Sequence, residues 1–281
     1  MRLIFILISE LLVFCAVGCG GSAGSPATET VVASFYPLAY AAEKVGGGRA
    51  NVSNLTPAGA EPHDLEVSPQ DVAAIREADL VLLLGRDFQP QLEDAAGSGK
   101  KVLRLLDTPG LDLHPDGDPH VWLDPIRYAR IVGRIGRVMH EPAATARLQA
   151  RLRGLDGEYR TGLAHCERRE IVTSHEAFGY LAERYGLEQV AITGLSPEVE
   201  PEPAKLQHVV ALVRERGVTT IYFETLVSPR IAETVASETG AKTAVLNPIE
   251  GLTKNEASQG EDYFSLMRKD LRTLREGLGC S

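Results

Sequence analysis

EIVTSHEAFGYLAERYGLEQVAIT, residues 170–193, decides the fold. It opens on the short apolar run EIVTS, then reaches His175. EAFGYLAERYG follows with apolar residues at helical spacing, closed by Gly186,. LEQVAIT then returns to a strand pattern. Strand, helix and strand in so short a stretch make a βαβ unit, whose two strands run parallel.

Working outward, the same alternation fills the chain. Downstream come a helix (PEPAKLQHVVALVRERG), a strand (TTIYFE), a helix (SPRIAETVASETG), a strand (AKTAVLN) and a closing helix from Glu261. Upstream, TVVASF, ANVSNLT, DLVLLLG and KVLRLL read as strands. They are separated by the helices YPLAYAAEKVG, SPQDVAAIREA (Ser68 as N-cap, Pro69 in the first turn) and DFQPQLEDAAG,. Alternation of this kind predicts the α/β class, with two lobes of parallel sheet flanked by helices. Residues 125–166 are helical throughout. Pro142 disfavours helix at the residue before it, so HEP (140–142) ends one helix and starts another. Pro142 to His165 would then form one helix about 36 Å long. The expected domains are an N-terminal lobe (30–124), linking helices (125–166) that include a long bridging helix, and a C-terminal lobe (167–281).

Residues 1–18 read as a signal peptide. Arg2 is followed by an apolar run that Glu10 interrupts and that is short for a membrane span,. AVGC (16–19) and the Gly/Ser-rich tether after it (19–29) are similar to a bacterial lipobox with Cys19 as the acylated residue, though Ala16 stands where Leu or Val is usual. Export to the outer face of the cytoplasmic membrane or the periplasm is expected, with a lipid anchor at Cys19. Cys15 leaves with the signal, so Cys166 and Cys280 remain. In an oxidising compartment the expectation is a disulfide between them. Of the 281 residues 24% are charged, with a formal net charge of -9. No basic footprint for nucleic acid is present, and a monomer is expected.

Acid, proline, histidine occurs twice, in EPHDLE (61–66) and DPHVWLDP (118–125). His63 lies after the second strand and His120 in the loop after the fourth. His175 follows the first strand of the second half, and Asn247 ends the last. In open α/β sheets ligands bind beyond the carboxyl ends of the strands. If the lobes face each other at those ends, three imidazoles converge in the cleft, a good donor set for Zn2+. Pro62 and Pro119 stiffen the backbone ahead of two of the rings, and Trp122 can bury one side. Glu224 ends TTIYFE on the same side and reads either as an acceptor for a ligand ring or as a carboxylate of the lobe interface. HPDGDPH (114–120) puts His114, Asp116 and Asp118 beside this place. It reads first as a solvated turn, with auxiliary metal capture as the alternative. His140, His165 and His208 read as ordinary helix residues.

The chain resembles the cluster A-I substrate-binding lipoproteins of bacterial metal-uptake ABC transporters, zinc-binding type. The resemblance runs over essentially the whole mature chain. It is carried by SFYPLAYAAEKVGG, GAEPHDLEVSPQDVAAIREADLVLLLG, DPHVWLDP, EIVTSHEAFGYLAERYGL, the Glu-Pro of SPEVEPEPAKL and TVASETGAKTAVLNPIEGL. It implies two lobes bridged by a rigid helix, one metal in the cleft, and delivery to a membrane permease. His63, His120 and His175 fall on the family's ligand positions. Histidine at 175 implies zinc, since manganese-type relatives tend to carry glutamate there and manganese favours oxygen donors. Asn247 departs from the aspartate often found at that place. The fourth ligand is therefore open among water, Glu61, Glu250 and the Asn247 carbonyl oxygen, with water or Glu61 preferred.

Other readings are a zinc hydrolase using a three-histidine zinc-water centre with Glu61 or Glu176 as base, a manganese-specific binding protein, and a surface adhesin. No HExxH helix supports the first, and no sequence feature supports the last.

Overall fold

The computed structural model describes residues 28–99 and 101–281. The signal peptide, Cys19 and nearly all of the tether lie outside the described residues. Among those described, no helix is long and apolar enough to cross a membrane.

The first lobe runs β1 (Glu29–Ala33), α1 (Tyr36–Gly46), β2 (Ala50–Asn54), α2 (Pro69–Glu77), β3 (Leu80–Leu83), α3 (Pro90–Ala96) and β4 (Val102–Arg104). Two connecting helices follow, α4 (Pro125–Val138) and α5 (Pro142–Gly162). The second lobe runs β5 (Glu170–Thr173), α6 (Gly179–Tyr185), β6 (Glu188–Ala191), α7 (Pro203–Arg216), β7 (Thr220–Phe223), α8 (Arg230–Thr239), β8 (Lys242–Val245), α9 (Lys254–Ser258) and α10 (Tyr263–Leu278). The sheets have orders β2-β1-β3-β4 and β6-β5-β7-β8, and every strand pair is parallel. Each sheet therefore has a switch point beside its first strand, where the chain reverses its direction of winding and leaves a crevice.

Local chemistry sets the element ends. Ser68 caps α2 in a reciprocal capping box with Asp71, and Pro69 sits in the first turn,. Asp124 caps α4 by accepting from the N–H groups of Ile126 and Arg127. The HEP break lies between α4 and α5, and His140 there takes a left-handed φ of 57°. His140 and His165 thus lie just outside the helices, contrary to their expected placement, whereas His208 is within α7. The bridging helix α5 is 21 residues, about 31 Å long, and stops at Gly162 rather than His165. Gly162 has a packing reason to be there, since a Cβ at that position would meet Leu271 at 3.0 Å.

One continuous core crosses the lobe boundary. It includes Val31 and Leu82 of the first sheet, Leu152 and Tyr159 of α5, Ile171 of the second sheet, and Met267 and Leu274 of α10. The outer face of each sheet has its own smaller cluster. Buried tyrosines stitch the shared core. Tyr128 donates to Pro37 O, Tyr159 to Met267 O and Tyr263 to Trp122 O, each at 2.6 Å. These hydroxyls satisfy buried carbonyls on other elements, and the Tyr263 bond runs from the second lobe to the first, so separating the lobes would strand both of its partners,. The Cys166–Cys280 disulfide is formed and ties the end of α10 to the segment entering β5.

Candidate metal centre

The three sequence-selected histidines come together between the lobes. Each is held by a different local device. For His63, the Gln89 amide, itself buried, donates to Pro62 O at 3.2 Å and to Thr56 Oγ1 at 3.2 Å. Thr56 in turn donates to Ser34 O at 2.7 Å. The loop after β2 is thereby fixed to the end of β1. The His63 N–H donates to Glu61 Oε1 at 3.0 Å, and the ring meets the edge of Phe88 with centroids 4.8 Å apart.

The DPH motif around His120 has a sharper explanation. A single oxygen, Asp118 Oδ1, accepts both the His120 backbone N–H at 2.9 Å and its ring Nδ1–H at 2.7 Å. Backbone and ring are thus locked to one carboxylate, which leaves Nε2 as the free lone pair. Trp122 packs 5.2 Å from the ring centroid and donates its indole N–H to Pro248 O at 2.7 Å. Gly179 makes room for this device, because a Cβ there would come within 2.8 Å of Asp118 Oδ2. Asp118 therefore orients a ring and is engaged in that task. Asp116 is exposed and accepts the Asp118 N–H at 3.0 Å. His114 stacks on Tyr180 at 3.9 Å and points Nε2 to Glu183 at 3.1 Å.

His175 repeats the logic at the switch point of the second sheet. Its Nδ1–H donates to Glu224 Oε1 at 2.7 Å, from the end of β7, and Ser174 Oγ donates to the same oxygen at 3.0 Å. Its carbonyl accepts from Thr173 Oγ1 and Gln189 Nε2.

The fourth residue in the group is Glu250. Its Oε1 lies 2.9 Å from His120 Nε2 and 3.5 Å from the Nε2 atoms of His63 and His175. His120 Nε2 and His175 Nε2 are 3.4 Å apart. One ligand atom from each of the four residues lies within 4.8 Å of the others. Tetrahedral nitrogen donors at about 2.05 Å from zinc stand roughly 3.3 Å from one another, so the cluster is already near the size of an occupied site. The side chains of His120, His175 and Glu250 are 0%, 1% and 0% exposed, and that of His63 10%. The contacts are ionic rather than well-aligned hydrogen bonds: both Glu250 oxygens and His63 Nε2 are buried without a hydrogen-bond partner.

The preferred fourth donor, water or Glu61, is not what the geometry favours. Glu61 spends Oε1 on the His63 N–H and sits in a second group, with Glu224 and Glu250. Asn247 faces away. Its Nδ2 donates to Thr225 Oγ1 and Glu256 Oε1, and its Oδ1 accepts the Ile249 N–H at 2.8 Å. That Asx turn, with Ile249 at a φ of 56°, swings Glu250 inward,. A β-branched residue in this region is strained, and the Trp122 indole on Pro248 O helps to hold it. An acid three residues beyond a strand-ending Asn-Pro is the signal that could have ranked Glu250 higher. Glu176 is exposed and outside the group.

Charge completes the description. Burial works against ionisation of His175, but the hydrogen bond to Glu224 and the proximity of Glu250 outweigh it and push the ring up to about 10. His120 is raised in the same way, with burial opposed by Asp118 and Glu250. Glu250 is held well below the usual carboxylate range, because the three imidazoles overcome the effect of burial. Glu61 is pushed up to about 9 by burial and then by repulsion from Glu250. The Glu250 carboxylate and the His120 and His175 rings thus favour each other's charged forms.

A family described as "Zinc-uptake complex component A periplasmic" (ZnuA) matches residues 31–277. The chain belongs to this family. Among ZnuA-type relatives, the "High-affinity zinc uptake system protein ZnuA" of Bacillus subtilis is 35% identical over 98% of this chain and 97% of its own length. The "Zinc-binding lipoprotein AdcA" of Streptococcus pneumoniae is also 35% identical over 98% of this chain, which spans 61% of that longer protein. The crystal structure of the Zn(II)-bound ZnuA-like domain of that AdcA matches with a TM-score of 0.75 at 36% identity, covering 89% of this chain and 99% of that domain. The laminin-binding protein Lmb of Streptococcus agalactiae, described as having adhesin and metal-transporting activity, matches with a TM-score of 0.80 at 31% identity over 89% of this chain and 99% of that one. The two-lobed fold is thus the ZnuA fold.

Proposed function

We propose that this chain captures one Zn2+ ion between its lobes, outside the cytoplasm, and hands it to an ABC permease. The ligands are His63, His120, His175 and Glu250. The observation that carries the reading is the convergence of three Nε2 atoms and one carboxylate at zinc spacing, with two of the rings oriented by carboxylates on Nδ1,. Imidazole-rich donors favour zinc over manganese.

The reading is one of binding rather than catalysis. A hydrolytic zinc centre keeps a coordination position open for water. Here a buried carboxylate fills the fourth place, and the rings are almost wholly shielded from solvent. Delivery to a permease, export and a lipid anchor at Cys19 are supported by membership of a zinc-uptake family and by relatives named as lipoproteins. The laminin binding in the Lmb description belongs to that relative.

The test is zinc titration of the mature chain, without a tag that binds metal, beside His175→Ala. One tight equivalent in the parent and loss of it in the variant are expected. Zinc should also raise Tm, since a ligand selective for the folded state stabilises it. A parent that takes no zinc, or one that turns over simple esters when loaded, would overturn the reading.

A further inference from the structure

We propose that Glu61, Glu224 and Glu250 form a second cation position, built wholly of oxygen donors, beside the histidine position and sharing Glu250 with it. The inference rests on the zinc-site reading above, because Glu250 belongs to both groups.

Three observations carry it. First, one oxygen from each of the three carboxylates lies within 4.8 Å of the others. Oxygen donors about 2.1–2.6 Å from a hard divalent cation stand at most about twice that distance apart, so the spacing suits one ion. Second, Glu61 Oε2, Glu224 Oε2 and both oxygens of Glu250 are buried with no hydrogen-bond partner. Glu224 is 2% exposed and Glu250 0%. Native proteins satisfy buried acceptors, and a cluster of acceptors left without donors is the arrangement a cation would complete. Third, Glu224 joins the cluster to the surface. It forms part of a pocket of about 140 Å³ with Ser174 and Thr193, and the exposed Glu198 and Glu200 stand in the same wall beside Arg230.

The geometry describes a two-step route. A hydrated divalent cation is drawn to the acidic wall, exchanges water for oxygens of Glu224, Glu250 and Glu61, displacing the Glu61 proton to solvent, and moves by exchange on Glu250 into the imidazole position. Carboxylates exchange ligands readily and suit hard ions; the imidazoles then select zinc. The same position, once the imidazoles are disabled, should hold Mn2+.

The experiment uses the mature chain and Mn2+ alone, read by the loss of the free-ion electron paramagnetic resonance signal. His175→Ala removes an imidazole and frees Glu224 from its ring partner. It is compared with His175→Ala carrying Glu61→Gln. Gln keeps the acceptor for the His63 N–H but, unlike Glu61, has no proton to give up and so cannot become the carboxylate donor a bound cation would hold. Retained Mn2+ binding in the single variant, weakened about 10–100-fold in the double, is expected, since lesser changes around a metal have effects of that size. No Mn2+ binding by the single variant, or equal binding by both as surface carboxylates would give, overturns the proposal. If His175→Ala does not fold, the same pair in the His63→Ala background reads the same quantity. A parent chain that ignores zinc would refute the histidine site while leaving the Mn2+ comparison readable.

Discussion

Replacing Glu250 by Gln should separate the two candidate fourth donors, and the structure sets the scale. The side chain is fully buried and faces all three Nε2 atoms. With zinc bound, its carboxylate offsets one of two positive charges in a site closed to water. Removing one partner of a buried charge pair costs about 3–5 kcal/mol, or roughly 10²–10⁴-fold in affinity. A second effect opposes this. In the metal-free site Glu250 also helps to hold protons on His120 and His175. Gln loosens those protons, so zinc has less to displace. The deficit should therefore be smallest near pH 6, where proton competition burdens the parent most, and should widen toward pH 9 as that burden lifts. Glu61→Gln is the control. That carboxyl is pushed up to about 9, by burial and then by Glu250, so at neutral pH it is already uncharged and Gln imitates it. Competition with a chromophoric chelator between pH 6 and 9 measures all three proteins. A Glu250→Gln affinity within about threefold of the parent at pH 7.5, with the large loss falling on Glu61→Gln instead, would refute the reasoning.

The remaining predictions concern protons, burial and the covalent tie. Zinc binding at pH 7.4 should release at least one proton, from His175, whose ring is pushed up to about 10,; calorimetry in two buffers of different ionisation enthalpy counts the protons, and none released would contradict the charge picture. For the metal-free fold, His175 and Glu61 bind protons more tightly folded than unfolded. Their stabilisation is therefore full below the unfolded values and is lost as pH rises through about 10 and about 9,. Tm of the apo chain should fall from pH 7 to 9.5, and a rise would be contrary. Asp270 is wholly buried and raised well above the carboxylate range, burial outweighing the bond from the Asn247 N–H. Asp270→Asn should thus leave zinc affinity unchanged and raise Tm more at pH 8 than at pH 5; a lower Tm at pH 8 would show that the carboxylate is needed. The disulfide closes a separation of 114 residues. Cys166→Ser with Cys280→Ser should cost about 2–4 kcal/mol, and an unchanged denaturant midpoint would remove it from the list of stabilising features.

How much of this was legible in the sequence depends on which contacts encode each feature. The lobes were legible because the central strands β1, β3, β5 and β7 are largely buried and read as short apolar runs,, and helices carry their own caps, as at Ser68 and Asp124. The meeting of the histidines was legible because all three follow strand ends of one polarity, which topology alone brings to one side. Where a tertiary contact intervened, local reading slipped. EAFGY continues a helical pattern from Glu176, yet α6 begins at Gly179, because the Glu176 N–H pairs with Gly194 O across the loop. Glu250 is the clearest case. Spacing pointed to Asn247 as the residue at the strand end, and a three-residue offset carries no signal about direction. Direction comes from an Asx turn, from Asp270 accepting the Asn247 N–H at 2.9 Å, and from the Trp122 indole of the other lobe on Pro248 O at 2.7 Å. The chain's only tryptophan thus touches the candidate site twice, packing on one ring and bracing the turn that presents the carboxylate. A lobe-to-lobe bond that fixes a ligand also couples ligand geometry to lobe spacing. Any movement that frees the metal must therefore either break that indole bond or proceed within one lobe, and the shared apolar core makes the second course the less costly.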